Sequence, residues 1–402
     1  MFRLREFLYL CIDILYTVMI IGFDAKRIVR NGTGLGSYGR NMINCLADIA
    51  HPDDRLLLYS PDEGREDLRS QVTTTDNMAF RYPDSHLPHS LWRTFGIPRQ
   101  LTRDGVDIYH GLSSELPIGI RKTGIRSIVT IHDLIFLRHP EYYNPIDVIT
   151  YRWKFHKTIR EADRIIAISE CTKHDIMQYG NVDESKIALI YQSCSTRFRQ
   201  RASIETCNAV RERFLLPSRY MVSVGTIEER KNILLAVKAL AYLPQDISLV
   251  VVGRPTSYSA KVERYAQTNN LSNRLLMLHN VGNTDLPAVY QMAEMCVYPS
   301  RYEGFGIPII EAIQSGLPVV ACTGSCLEEA GGGDSIYVGP DDAEGMAAAV
   351  RRVLKGSPER EGRIEGSMRY VQRFEGGNVA RQVYDVYGEL LQLNRCVVSN
   401  QT

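Results

Sequence analysis

The sequence predicts an α/β protein built from two parallel sheets, each covered by helices on both faces. Three observations carry this. From Met19 onward short apolar runs alternate with segments of helical periodicity. The alternation breaks once, across the polar stretch Arg199–Pro217, which has no core pattern. At roughly 100–200 residues per domain, a chain of 402 residues divides into two or three domains, and a hydrophobic fraction of 44% is enough to fill their cores.

Strands are expected at Met19–Asp24, Leu56–Ser60, Ile108–His110, Ser127–His132, Arg164–Ser169 and Ile187–Tyr191, with helices near Ser37–Ile49, Pro145–Glu161 and Glu170–Tyr179. A second series follows at Tyr220–Val224, Leu249–Val252, Leu275–Leu278, Met295–Tyr298, Val319–Ala321 and Ser335–Val338. A last helix, Val379–Leu393, carries Val379, Val383, Val386, Tyr387 and Leu390 on one stripe and needs a surface to cover it. The expected organisation is an extension over 1–18, a first domain over 19–198, a linker over 199–218, a second domain over 219–375 and a helix over 376–395 that returns to the first domain.

Lys+Arg 47 against Asp+Glu 46 excludes a polybasic nucleic-acid binder and an acidic tail protein. Nine cysteines without a CxxC pair point to reduced thiols in a cytoplasmic protein, with Cys322 and Cys326 as inert packing. Near the N-terminus Arg3 and Arg5 precede the apolar run Leu8–Phe23, but Asp13 interrupts it, and a membrane span needs about 20 apolar residues. Tyr16-Thr17-Val18 offers no small-residue cleavage site. Residues 1–18 therefore read as an appendage from an upstream start, with Met19 as the working start; a membrane-surface helix is the alternative.

Four segments carry chemistry. Ser300-Arg301-Tyr302-Glu303-Gly304-Phe305-Gly306-Ile307-Pro308 joins a strand to a helix through glycines. Backbone N–H groups at Gly306 and Ile307 could meet a phosphate, while Glu303 and Glu311 accept hydrogen bonds from hydroxyls. That combination suits a nucleotide sugar; the alternative is an ordinary strand-to-helix turn. Val224–Asn232 also follows a strand and opens a helix, and places Arg230 and Lys231 where cations are unfavourable by roughly 0.3–1 kcal/mol unless an anion binds. The alternative is a solvated basic pair.

Asn31–Arg40 contains Gly34-Leu35-Gly36-Ser37-Tyr38-Gly39, a formal GxGxxG. It starts ten residues after Asp24, and the second strand ends without a ribose-binding acid, so nicotinamide cofactors are discounted. Gly34 and Gly36 then belong to a mobile loop that closes on a phosphate or an acceptor, or to a plain loop. Ile128–Leu134 ends a strand in His132-Asp133, with His132 at the sheet edge as a site residue or a satisfied structural one; His110 is a weaker case of the same kind. No Asp-x-Asp occurs and His86 and His89 are separated by Pro88, so neither a metal nor another cofactor is expected.

In this order the segments resemble those of family 4 retaining glycosyltransferases of the GT-B fold, over about Met19 to Leu393. Glu303-Gly-Phe-Gly-Ile-Pro-Ile-Ile-Glu311 resembles the family's E-x7-E element and Val224–Asn232 its diphosphate loop. Thr130–Leu134, Ala162–Ser169 and Gly316–Ala321 are similar to further family segments. The resemblance implies two Rossmann-like domains facing across a cleft. It also implies that Glu311 binds the donor ribose, Glu303 the donor sugar, Arg230 and Lys231 the diphosphate, and His132 the sugar near its reacting carbon. Two departures stand out: Ser325-Cys326-Leu327-Glu328-Glu329 has Glu328 where relatives carry proline, and Phe374-Glu375-Gly376-Gly377 replaces the usual hinge.

The pattern is similar to the branch that includes O-antigen mannosyltransferases, which makes GDP-mannose the expected donor, with UDP- and dTDP-sugars as alternatives. The expected acceptor is a saccharide, lipid-linked in such pathways. A nucleotide-sugar epimerase and a non-catalytic nucleotide-sugar-binding protein are the competing classes. Arg152, Lys154, Lys157 and Arg160, interleaved with Trp153 and Phe155, suggest peripheral association with an anionic membrane; a solvated face with Trp153 in the core is the alternative.

Overall fold

The computed structural model describes residues 18–84 and 87–399, with side chains to residue 392. The expected appendage at residues 1–18 lies outside them except for Val18, and so does His86. By their internal contacts the described residues form two compact units. One holds the chain up to Thr130, Lys154–Ile166 and the residues from Ala380; the other holds Ile131–Trp153 and Ala167–Val379.

Both sheets are present. The first contains β1 (Ile20–Asp24), β2 (Arg55–Tyr59), β3 (Met78–Arg81), β4 (Ile108–Gly111), β5 (Arg126–Ile131), β6 (Arg164–Ala167) and β7 (Ile187–Leu189) in the order β3-β2-β1-β4-β5-β6-β7. The second contains β8 (Tyr220–Val224), β9 (Ser248–Val252), β10 (Leu275–Leu278), β11 (Met295–Tyr298), β12 (Val319–Cys322) and β13 (Ile336–Val338) in the order β10-β9-β8-β11-β12-β13. The registered pairs are parallel. In each sheet the order reverses beside the first strand, between β1 and β4 and between β8 and β11, which is where ligands of open α/β sheets bind.

Successive residues of the second sheet's strands feed two cores. Tyr220, Val222, Val250, Val252, Cys296 and Tyr298 lie in one; Met221, Leu249, Val251, Met295 and Val297 lie in the other. A sheet buried on both faces has no polar alternation, so its strands read as continuous apolar runs and were legible. β3 was not expected. It is the edge strand, its residues after Met78 are only partly buried, and its sequence Met-Ala-Phe-Arg lacks a strong strand pattern. The polar stretch after Arg199 contains a helix, Ile204–Phe214, capped by Ser203 through the Thr206 N–H. Only Val210 is buried in it, so no apolar stripe marks it.

The final helix, Gly376–Ser399, begins in the second unit and belongs to the first from Ala380 onward. Val383, Tyr387 and Leu390 are buried. Inside the first unit Tyr387 Oη lies 2.7 Å from His110 Nδ1, and His110 Nε2 lies 2.9 Å from Thr130 Oγ1. Tyr384 Oη meets Asp54 and accepts the His51 N–H at 3.2 Å. His110 is thus a fully buried core residue. Replacing Tyr387 by Phe keeps the ring and takes the hydroxyl away from the buried His110 Nδ1, which should cost about 1–3 kcal/mol. Urea unfolding measures this, and a loss below about 0.5 kcal/mol would show that the hydroxyl is not needed.

Candidate functional site

The loops that follow β8 and β11 flank the switch point of the second sheet, and their side chains converge. Arg230 and Lys231 lie in a single turn, Glu229–Lys231, ahead of the helix Ile233–Leu240, with Asn232 left-handed between them. Arg230 Nη1 is 2.7 Å from Glu303 Oε2, and Lys231 Nζ is 2.6 Å from Glu303 Oε1. Arg230 also pairs with Glu228 at 2.6 Å and donates to the Tyr302 carbonyl at 2.6 Å. Lys231 Nζ donates to Tyr298 Oη at 2.7 Å, and Tyr298 Oη donates to Glu303 at 3.3 Å. Burial alone would raise the Glu303 carboxyl, but Arg230 and Lys231 hold it down at about 2.

The Glu303 loop is held from several sides. A Cβ built on Gly304 would lie 2.0 Å from the His132 carbonyl oxygen, so only glycine permits this approach. Ser169 Oγ donates to the Gly304 carbonyl at 2.7 Å, and Thr172 Oγ1 bridges the carbonyls of Gly304 and His132, 3.3 Å from each. The Cys326 Sγ lies 3.0 Å from the Glu303 carbonyl oxygen and 2.8 Å from that of Phe305, so its single S–H is shared between the two. Cys326 was expected to be inert packing; it is fully buried, and it braces this loop. Tyr302 Oη donates to Asp175 at 2.7 Å, with Arg138 over its ring.

His132, expected at the sheet edge, is buried, and the Gln192 side-chain amide donates to its Nδ1 at 2.8 Å, which leaves the ring proton on Nε2. Its neighbour Asp133 lies among Arg230, Glu303 and Lys231, and its carboxyl is raised by burial more than the two cations lower it. Gly306 caps the helix Ile307–Gln314, which starts at Ile307 with Pro308 in its first turn. Glu311 is in that helix and accepts from Tyr290 Oη at 3.1 Å. Burial pushes its carboxyl up to about 7, against Arg197 and the Tyr290 hydroxyl. Two acids eight residues apart therefore titrate on opposite sides of their ordinary value.

Gly34 and Gly36 differ from expectation. They are in the first turn of the helix Gly34–Ile49, not in a mobile loop. A Cβ at Gly36 would lie 1.8 Å from the Asn31 carbonyl oxygen, so the glycine allows the helix to start against the preceding turn, whereas Gly34 faces open space. Glu329, beside the departure at Glu328, accepts the N–H groups of Glu170 at 2.7 Å and Cys171 at 3.1 Å and so caps the helix Glu170–Gly180. Glu328 instead accepts from Thr323 Oγ1 at 2.5 Å. Sequence reasoning missed Tyr298, Tyr302, Gln192 and Tyr290 as partners. They end strands, sit in loops or belong to helices, and no spacing connects them to the acids they serve. Among the described residues no three His, Cys, Asp or Glu side chains are grouped as a metal ion would require.

Two family profiles match in succession, "Glycosyltransferase Family 4" over residues 33–197 and "Glycosyl transferases group 1" over residues 210–368. O-antigen chain mannosyltransferase B of Escherichia coli is 28% identical over 384 residues, covering 92% of this chain and 99% of that protein. O-antigen chain mannosyltransferase RfbU of Salmonella typhimurium is 25% identical, covering 90% and 97%. A glycosyltransferase from Rickettsia africae has a similar fold, with a TM-score of 0.73 at 18% identity over 94% of this chain and 99% of that one. Anabaena Alr3699/HepE, solved with UDP and glucose, has a TM-score of 0.70 at 15% identity over 93% and 100%. With two parallel sheets in these orders and both profiles matched in sequence, the chain belongs to the family 4 glycosyltransferases of the GT-B fold and is a hexosyltransferase.

Proposed function

We propose that this glycosyltransferase of polysaccharide synthesis moves mannose from GDP-mannose to a lipid-linked saccharide at the cytoplasmic face of a membrane, with retention of anomeric configuration. The Arg230–Glu303–Lys231 cluster at the switch point carries the reading. The donor's diphosphate takes the two cations, Glu303 holds hydroxyls of the sugar, Glu311 holds the ribose, and the His132 Nε2–H serves the sugar near its reacting carbon. Binding of the nucleotide sugar is assigned chiefly to residues 219–375, with His132 added from residues 19–198, which are assigned the acceptor side.

In the transfer the bond from the anomeric carbon to the phosphate oxygen breaks, and the diphosphate leaves with the electron pair. The acceptor oxygen attacks from the same face and gives its proton to the leaving phosphate. Arg230 and Lys231 stabilise the charge that develops there, and orientation of both partners supplies much of the rest. Glu303 is ionised but both its oxygens are engaged by cations, which favours a positioning role over that of a covalent nucleophile. Two fixed cations at the diphosphate also make a divalent metal unnecessary in this reading.

Titration with GDP-mannose and UDP- and dTDP-sugars, followed by transfer to a saccharide acceptor, tests the donor; preference for a UDP- or dTDP-sugar would overturn GDP-mannose. Glu303→Gln removes the acid that competes with a diphosphate for Arg230 and Lys231. It should leave nucleoside diphosphate affinity equal or higher and lower kcat by about 100-fold or more; lost nucleotide affinity with normal turnover would reverse the roles. EDTA-treated enzyme should keep full activity, and restoration of a lost activity by Mg²⁺ or Mn²⁺ would refute metal independence.

Glu311 gives a pH dependence. Its folded pKa of about 7 lies above the ordinary 4.5, so the protonated form is favoured by folding, and this contribution is present below 4.5 and lost as pH rises through 7. Ribose hydroxyls donate best to the ionised form. Nucleoside affinity should therefore rise as pH passes through about 7, with proton release on binding, and Glu311→Gln should flatten the profile. Calorimetry in two buffers of different ionisation enthalpy measures the released proton; an unchanged profile in the variant would remove Glu311 from the ribose site.

A further inference from the structure

The helix Pro145–Glu161 stands clear of its surroundings over its first half: of residues 145–153 only Val148 is buried. Ile146 is 73% exposed, Ile149 70% and Trp153 56%, a concentration of large apolar side chains that folding does not use. At 100° per residue Ile146, Ile149, Trp153 and Arg160 lie within an arc of about 60°, with Asp147 about 100° from Ile146. The buried Val148 and Phe155 are on the opposite side.

The cations divide in a way the sequence did not show. Lys154 pairs with Glu115 at 3.2 Å and Lys157 with Glu161 at 3.3 Å. Arg152 and Arg160 have no ion pair among the described residues, and both are exposed. The face is therefore apolar for about 10 Å of helix and then basic. Tyr151 anchors this half to the loop after Asp133, its ring 5.6 Å from that of Phe136 and 6.4 Å from that of Tyr143.

We infer that the face Ile146–Ile149–Trp153, flanked by Arg152 and Arg160, docks on a bilayer that contains anionic lipid. Two isoleucines and a tryptophan enter the boundary of headgroups and acyl chains, and the two arginines meet lipid phosphates. An interfacial helix requires this pairing of an apolar stripe with unpaired cations, and a tryptophan suits a boundary where one edge is wet. No helix among the described residues is long and apolar enough to cross a membrane, so the contact is one of surface attachment. The inference rests on the proposed transfer to a lipid-linked acceptor, because it brings the enzyme to the surface where such an acceptor lies.

The chain has two tryptophans, and Trp92 is buried at 1% exposure, so emission changes report Trp153. The full-length protein is mixed with vesicles of phosphatidylcholine alone and with added phosphatidylglycerol. Anionic vesicles should shift the emission to the blue and sediment the protein, and salt should weaken both effects. The Ile146→Ser, Ile149→Ser double variant should bind at least about tenfold more weakly. Trp153→Phe should remove the shift while still sedimenting. Nucleoside diphosphate affinity should be unchanged in all variants, which separates this inference from the donor assignment. Equal sedimentation of the double variant, or no shift with anionic vesicles, would overturn it. So would a concentration-dependent dimer that the double variant abolishes, because a second copy would then cover the face.

Discussion

The ion triad of Arg230, Glu303 and Lys231, with the acid buried and the two cations partly buried, is the interaction on which the arrangement of the loops after β8 and β11 depends. A pair of unit charges near 2.7 Å is worth about 6 kcal/mol at an effective dielectric of 20, before desolvation. Removing one member of a buried pair commonly costs 3–5 kcal/mol, because the remaining charge is left uncompensated. Glu303 holds both cations in place, so neither long side chain is left to sample other rotamers. Glu303 and Glu228 together balance the two positive charges.

That triad is only as well placed as the loop that carries Glu303. Gly304 lets the loop lie on the His132 carbonyl, Ser169 and Thr172 tie it to the start of the helix Glu170–Gly180, and Cys326 fastens it from behind. Asp175 fixes Tyr302, whose carbonyl in turn accepts from Arg230. Much of this work is done by backbone carbonyls. Substitution of a distant small residue would therefore move charged groups that it never touches, and Glu329, as a cap on the Glu170–Gly180 helix, belongs to the same support.

Glu303 and Glu311 show how environment divides one chemistry between two residues. Both are in poorly solvated surroundings, which favours the neutral acid. Two cations within hydrogen-bond distance overcome that effect at Glu303, while at Glu311 the Tyr290 hydroxyl and the more remote Arg197 do not. One acid is a permanent anion near neutral pH and the other is poised to change charge. The helix dipole at Gly306 and Ile307 adds positive potential at the start of the same segment.

The sequence alone determined the two parallel sheets, because strands buried on both faces must be continuously apolar, and twelve of the thirteen strands that form them stood out between turns rich in glycine and polar residues. The edge strand β3 did not, since only Met78 of it is buried and burial no longer dictates its other residues. The acids and cations of the loops after β8 and β11 were legible because a strand end, glycines and a helix start fall within a few residues. Their partnership was not: Arg230 and Glu303 are 73 positions apart, and only the adjacency of β8 and β11 makes them neighbours. Likewise a basic helix could be read from Arg152 to Arg160, but which lysines are neutralised, and that Ile146, Ile149 and Trp153 remain outside, follows from what packs against the opposite face. Charge pairing and exposure are properties of three-dimensional neighbours, and those neighbours are supplied by tertiary structure.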